Sequence, residues 1–125
     1  MKILLIEDNL LNQKVVIFNL KKFNYDIKGV TNGKVALEEV KKSRYDLILM
    51  DIMLPEMNGF EITEEIRKYE KENNIEPPVP IIALTANTYD NDREKCFVAG
   101  MNEYLAKPFT SEQLIEMIHK FIPSE

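Results

Sequence analysis

Leu47-Ile48-Leu49-Met50-Asp51 holds four consecutive apolar residues and ends on a carboxylate. No polar residue interrupts the run, so neither face of it is suited to water. Its length favours a strand over a helix, and a strand apolar on both faces belongs inside a parallel sheet covered above and below. The same grammar recurs on either side. Ile3-Leu4-Leu5-Ile6 runs into Glu7-Asp8, residues 79–84 run into Thr85, and Tyr104-Leu105-Ala106 runs into Lys107-Pro108. Residues 26–30, with Asp26 and Lys28 among them, read as a second, more exposed strand.

Between these runs lie longer stretches with helical spacing. Residues 10–23 place apolar side chains at Leu11, Val15, Phe18 and Phe23. Residues 33–42 carry Val35, Ala36, Leu37 and Val40, and residues 60–69 carry Phe60, Ile62 and Ile66. Residues 91–99 form a helix stopped by Gly100. Residues 111–121 form the last, with Leu114, Ile115, Ile118 and Ile122 turned inward. Five strand–helix pairs in alternation imply an α/β domain with a parallel sheet and helices on both faces. The polar, proline-bearing segment 71–78 reads as a loop, and residues 1–125 as one domain.

Composition narrows the function. The chain has 125 residues, 45% hydrophobic and 30% charged, which is ordinary for a globular domain. Sixteen basic against twenty-one acidic residues give a net charge of -5, which argues against a broad nucleic-acid surface. Cys96 is the sole cysteine and His119 the sole histidine, so a disulfide, a thiolate cluster or a histidine-based triad lacks its parts. Cys96 reads as a small buried hydrophobe and His119 as a residue on the polar side of the last helix. The apolar N-terminal run reaches Glu7 too soon for a signal peptide or a membrane span, and the expected location is cytoplasmic.

Ligands of open α/β sheets bind beyond the carboxyl ends of the strands. There this sequence puts Glu7 and Asp8 after strand one, Asp51 after strand three, Thr85 after strand four and Lys107 after strand five. Three carboxylates in one crevice repel one another, and a hard divalent cation resolves the conflict. Magnesium, held by oxygen ligands from one or two carboxylates and phosphate, fits that set. Asp8 and Asp51 suit direct ligation, Glu7 ligation through water, and the backbone carbonyl of Met53 could complete the protein's share. Asp51 is also the best nucleophile, since a carboxylate can attack phosphorus to give an acyl phosphate. Lys107 supplies a mobile positive charge and Thr85 a hydroxyl donor for the phosphoryl oxygens. Each residue taken alone has a bland reading as solvated loop, helix cap or plain surface. Together they fall at one end of one sheet.

These stretches resemble the response-regulator receiver domains of two-component and phosphorelay signalling. The resemblance rests on Leu4-Leu5-Ile6-Glu7-Asp8-Asn9, Leu49-Met50-Asp51-Ile52-Met53-Leu54-Pro55 with Asn58-Gly59, Ile81-Ile82-Ala83-Leu84-Thr85-Ala86, and Gly100-Met101 through Tyr104-Leu105-Ala106-Lys107-Pro108-Phe109. It implies a flavodoxin-like doubly wound sheet of order 2-1-3-4-5. It implies a switch phosphorylated on Asp51 by the phosphohistidine of a histidine kinase or histidine-phosphotransfer domain, with magnesium held by Glu7, Asp8 and Asp51. It further implies that Thr85 and Lys107 touch the phosphoryl group and that the Lys107-Pro108 bond is cis. Tyr104 stands where the family has its switch aromatic. Thr85 would move towards the phosphoryl group, Tyr104 would turn inward, and the face of the fourth helix, fifth strand and fifth helix would change for a downstream partner.

Asn9 and Asn12, with Leu10-Leu11 and Val15-Val16, look most like receivers of hybrid histidine kinases, whose first helix docks a phosphotransfer bundle; the alternative is that Val15 and Phe18 are core. The chain stops soon after its fifth helix, so a single-domain regulator or a receiver within a larger protein is expected. In that family the positions two after the acceptor and two after the threonine, here Met53 and Asn87, influence attack by water, so the resemblance with an apolar Met53 implies a long-lived phosphoryl group. A haloacid-dehalogenase-type phosphatase would want a second aspartate where Met53 stands. A flavodoxin-like electron carrier would want a glycine- and hydroxyl-rich loop where Glu7-Asp8-Asn9 stands. Neither a metabolic enzyme nor a membrane-inserted protein is expected.

Overall fold

The computed structural model describes residues 1–54, 56–85 and 90–122. Its strands are β1 (Lys2–Ile6), β2 (Asp26–Val30), β3 (Leu47–Asp51), β4 (Ile81–Thr85) and β5 (Glu103–Ala106). Its helices are α1 (Leu10–Lys21), α2 (Gly33–Lys42), α3 (Gly59–Glu72), α4 (Asp90–Ala99) and α5 (Ser111–His119). All pairings are parallel and the order is β2-β1-β3-β4-β5, as expected. Strand order reverses between β1 and β3, so the crevice of this sheet opens beside Glu7 and Asp51.

The apolar runs explain the layers. Every residue of β3 and β4 is buried. Alternate side chains point to opposite faces. Leu4, Ile6, Ile48, Met50, Ile81 and Ala83 join Ala36, Ile62, Ile66 and Cys96 from α2, α3 and α4. Ile3, Leu5, Leu47, Leu49, Ile82 and Leu84 join Val16 and Leu20 of α1 and Leu114, Ile115 and Ile118 of α5. Each of the larger of these side chains stabilises the fold by about 1.5–3 kcal/mol on burial.

Side-chain caps fix where several helices start. Asn9, Asn32 and Asn58 accept bonds from the amides of Asn12, Val35 and Glu61, and Thr110 accepts from Gln113. Glu61 and Gln113 reach back to the cap amide in turn, closing capping boxes. Such a cap stabilises its helix by about 1 kcal/mol. At the far end of α4, Gly100 takes φ +109 while its amide donates to Phe97 O and that of Met101 to Cys96 O. That pair of bonds terminates the helix where the sequence places its stop.

Several details differ from the sequence reading, among them α3, which runs on to Glu72, into the segment read as a loop. On α1 the buried residues are Gln13, Val16 and Leu20, whereas Leu11, Val15 and Phe18 are 70%, 53% and 77% exposed. Both sets have helical spacing, and two residues separate them, which is about half a turn. The set with fewer apolar residues faces inward because backbone carbonyls satisfy the Gln13 amide. β4 begins at Ile81, because the Val79 amide donates to Glu70 Oε2 and its carbonyl accepts from Arg67, so α3 side chains hold it. His119 is half-buried, with Nε2 3.1 Å from the Tyr25 hydroxyl.

A rim of carboxylates bridged by a lysine

Register brings the candidate residues together. Ile6 lies opposite Met50, so the next residues, Glu7 and Asp51, leave neighbouring strands at the same level. Asp51 lies opposite Leu84, and Thr85 opposite Ala106, one residue before Lys107. The Lys107 amide donates to Thr85 O at 2.6 Å, and the Lys107-Pro108 bond is cis, as expected.

Glu7, Asp51 and Thr85 are 3%, 5% and 2% exposed, whereas Asp8 is open to solvent. Carboxylate oxygens of Glu7, Asp8 and Asp51 lie within 4.8 Å of one another, an arrangement able to hold a metal ion. Lys107 Nζ lies 3.3 Å from Glu7 Oε2 and 3.4 Å from Asp51 Oδ2. The other oxygen of each buried carboxylate accepts from a backbone amide: Glu7 Oε1 from Asn9 at 3.2 Å and Asp51 Oδ1 from Met53 at 3.1 Å. Both carboxylates therefore have a partner on each oxygen, the Lys107 ammonium on one and a backbone amide on the other. The first helical turn of α3 packs closely, since a Cβ on Gly59 would lie 2.9 Å from Asp51 O. Gly59 is thus more than a turn residue; its lack of a side chain lets α3 abut the exit of β3.

Met53 is 74% exposed beside Asp51. Tyr104 is half-buried on β5, packed on the α2–α3–α4 side, with the Arg93 guanidinium carbon 5.6 Å from its ring centroid. Pro55, Ala86 and Asn87 lie outside the described residues. Sequence reasoning passed over Gln13, whose buried Nε2 donates to Glu7 O at 2.9 Å and Val30 O at 2.7 Å. The available signal was a lone amide on an otherwise apolar inward face. Away from the rim, burial and then the hydrogen bond to Glu39 push the Tyr45 hydroxyl up to about 12.

A sequence profile described as the response regulator receiver domain matches residues 3–119. The chain belongs to the response regulator receiver domain family. Receiver domains are signalling switches of phosphorelays, not metabolic enzymes, and this receiver has their sheet order. It is 50% identical to hybrid signal transduction histidine kinase B of Dictyostelium discoideum over 97% of the chain, but spans only 7% of that protein. Among solved structures it resembles the receiver domain of sensor histidine kinase PA1611 from Pseudomonas aeruginosa PAO1, crystallised with magnesium coordinated in its active-site cleft. Identity is 45%, the TM-score is 0.85, and 98% of each chain is covered. It also resembles the Saccharomyces cerevisiae receiver domain of Ssk1, solved in complex with the histidine phosphotransfer protein Ypd1. There identity is 34% and the TM-score 0.92, covering 97% of this receiver and 88% of that chain. Among the described residues, no helix is long and apolar enough to cross a membrane.

Proposed function

We propose that residues 1–125 act as one receiver unit that takes a phosphoryl group onto Asp51 from a phosphohistidine. The observation that carries this reading is Lys107 Nζ within 3.4 Å of two buried carboxylates at the rim where the three acidic side chains converge. Glu7, Asp8 and Asp51, with the Met53 carbonyl, would hold Mg2+, and an all-oxygen donor set fits that ion. When bound, the ion offsets charge on the phosphoryl oxygens.

An Asp51 carboxylate oxygen attacks phosphorus, a P–O bond forms, the P–N bond to imidazole breaks, and the departing imidazole takes up a proton. Asp51 Oδ2 faces Lys107, which follows the incoming charge on its flexible stem, and the Thr85 hydroxyl donates to a second oxygen. The receiver thus promotes its own phosphorylation, and slow attack by water later returns the carboxylate. Thr85, at the end of β4, and Tyr104, on the next strand, couple the phosphoryl group to the α4–β5–α5 face, which meets a downstream protein.

The donor would be a histidine kinase or a histidine-phosphotransfer domain in the cytoplasm. Leu10, Leu11, Val15 and Phe18, exposed together on α1 beside the rim, suit an apolar helix bundle. Similarity to the Ssk1 receiver, captured with Ypd1, supports that partner class. A net charge of -5 speaks against direct nucleic-acid binding.

Treatment with acetyl phosphate and Mg2+, followed by peptide mass mapping, tests the assignment. The added phosphoryl mass should map to Asp51 and vanish in Asp51→Asn or with EDTA. A modification on another residue, or one that persists in Asp51→Asn, refutes it. In the same preparation Thr85→Ala should accept phosphate yet lose phosphorylation-dependent partner binding; retained binding breaks the proposed coupling.

A further inference from the structure

Gln13 is a polar residue on the buried face of α1, 7% exposed, and its carboxamide points at the rim. Its Nε2 joins Glu7 O, at the exit of β1, to Val30 O, at the exit of β2. The Glu7 amide also donates to Val30 O at 3.0 Å, so Glu7 is tied to β2 from both its backbone groups, once directly and once through Gln13. Glu7 and Asp8 sit on the short connection between β1 and the Asn9 cap; Lys107 and the Asn9 amide hold the Glu7 carboxylate, and Gln13 holds the backbone behind it.

A second observation comes from β2. A Cβ at position 29 would lie 2.5 Å from Gln13 Oε1 and 2.9 Å from Gln13 Cδ. Gly29 has no left-handed φ to explain a glycine there. Glycine costs a strand both entropy and packing. Space for the Gln13 carboxamide accounts for it.

We propose that Gln13 and Gly29 form a positioning pair for the acidic rim: Gly29 leaves room for the Gln13 amide, which fixes the Glu7–Asp8 segment for cation binding. This rests on the Mg2+ reading above. Side chains that orient metal ligands from behind commonly change affinity by about 10–100-fold when lost.

The test is a Mg2+ titration of the whole chain, followed by amide chemical shifts well below the unfolding temperature. The parent chain should bind. Gln13→Met, which keeps the volume but removes the donor, and Gly29→Ala should each weaken binding about tenfold. Gly29→Ala should add nothing in a Gln13→Ala background, where the clashing amide is gone. A merely structural role would lower the unfolding temperature and leave the affinity of the folded protein unchanged, which overturns the proposal, as does additivity of the two changes. If Gln13→Met proves too unstable to titrate, unaltered affinity in Gly29→Ala alone overturns it. A parent chain that binds no Mg2+ defeats the metal site itself, and this pair with it.

Discussion

Lys107→Met probes the electrostatics of the rim without removing a carboxylate. The ammonium lies 3.3 and 3.4 Å from Glu7 and Asp51. At an effective dielectric constant of about 20, each contact carries a gross attraction of about 5 kcal/mol, most of it offset by desolvation. Breaking a fully buried pair costs about 3–5 kcal/mol. The Lys107 side chain is 28% exposed, so water softens the loss and we expect about 2 kcal/mol. For a 125-residue domain that lowers Tm by about 6–10 °C in EDTA. Mg2+ should narrow the gap between the two proteins, because lysine and the cation contest the same oxygens. At a hundredfold excess over its Kd, Mg2+ stabilises the parent chain by about 2.7 kcal/mol. Without the rival ammonium the variant should bind about tenfold tighter and gain about 1.4 kcal/mol more. Thermal melts by circular dichroism in EDTA and in Mg2+ measure all four states. Equal melting in EDTA, or a Mg2+ increment no larger in the variant than in the parent, would refute the picture of a lysine standing in for the cation.

Leu11 is 70% exposed, so Leu11→Asp should slow phosphotransfer from a phosphohistidine donor tenfold or more while changing stability by less than about 0.5 kcal/mol in urea titration. Met53→Asn replaces an exposed apolar side chain beside Asp51 with one that can orient water; the phosphorylated half-life should shorten several-fold, and an unchanged half-life contradicts that role. Arg67 binds Gly100 O, Val79 O, Asn102 and the buried Glu70, so Arg67→Ala should cost about 3 kcal/mol in urea unfolding. A loss below about 1 kcal/mol would mean the network is decorative. Tyr45 is held neutral first by burial and then by its bond to Glu39, so its folded pKa, about 12, exceeds its ordinary value of 10.0. Its contribution to stability is complete below pH 10 and is lost as pH rises towards 12. An ultraviolet titration should show this late step and lose it in Tyr45→Phe.

The candidate site was readable before the fold because its residues are set by strand ends. The covered middle of such a strand has no partner for a carboxylate, so Asp51, the last residue of β3, marks where Leu47-Ile48-Leu49-Met50 reaches the rim, as Glu7, Thr85 and Lys107 mark the other strand ends. Parallel pairing then delivers every exit to one edge. Strand order was different: nothing in the periodicity of 26–30 says that it flanks β1 and not β5, and only the family resemblance supplied it. Gln13 escaped notice because a glutamine at helical spacing reads as surface until the carbonyls of Glu7 and Val30 are seen to meet its amide. Val79 misled for the related reason that side chains of α3 took the hydrogen bonds a strand would have used.

α1 shows most plainly where pattern reading stops. It carries apolar side chains all round: Val16 and Leu20 inside, and Leu10, Leu11, Val15 and Phe18 outside. A helix under one layer of sheet needs only one apolar stripe, so periodicity has two solutions here and no means of choosing between them. The choice falls to hydrogen bonding. Gln13 can turn inward because two strand-end carbonyls await it, and turning the other face inward would leave those carbonyls to other donors and expose Val16 and Leu20 instead. The outward stripe is then surplus to folding. Four large apolar residues left in water beside a chemical rim have no structural use in the isolated chain, and an apolar partner approaching that rim gives them one.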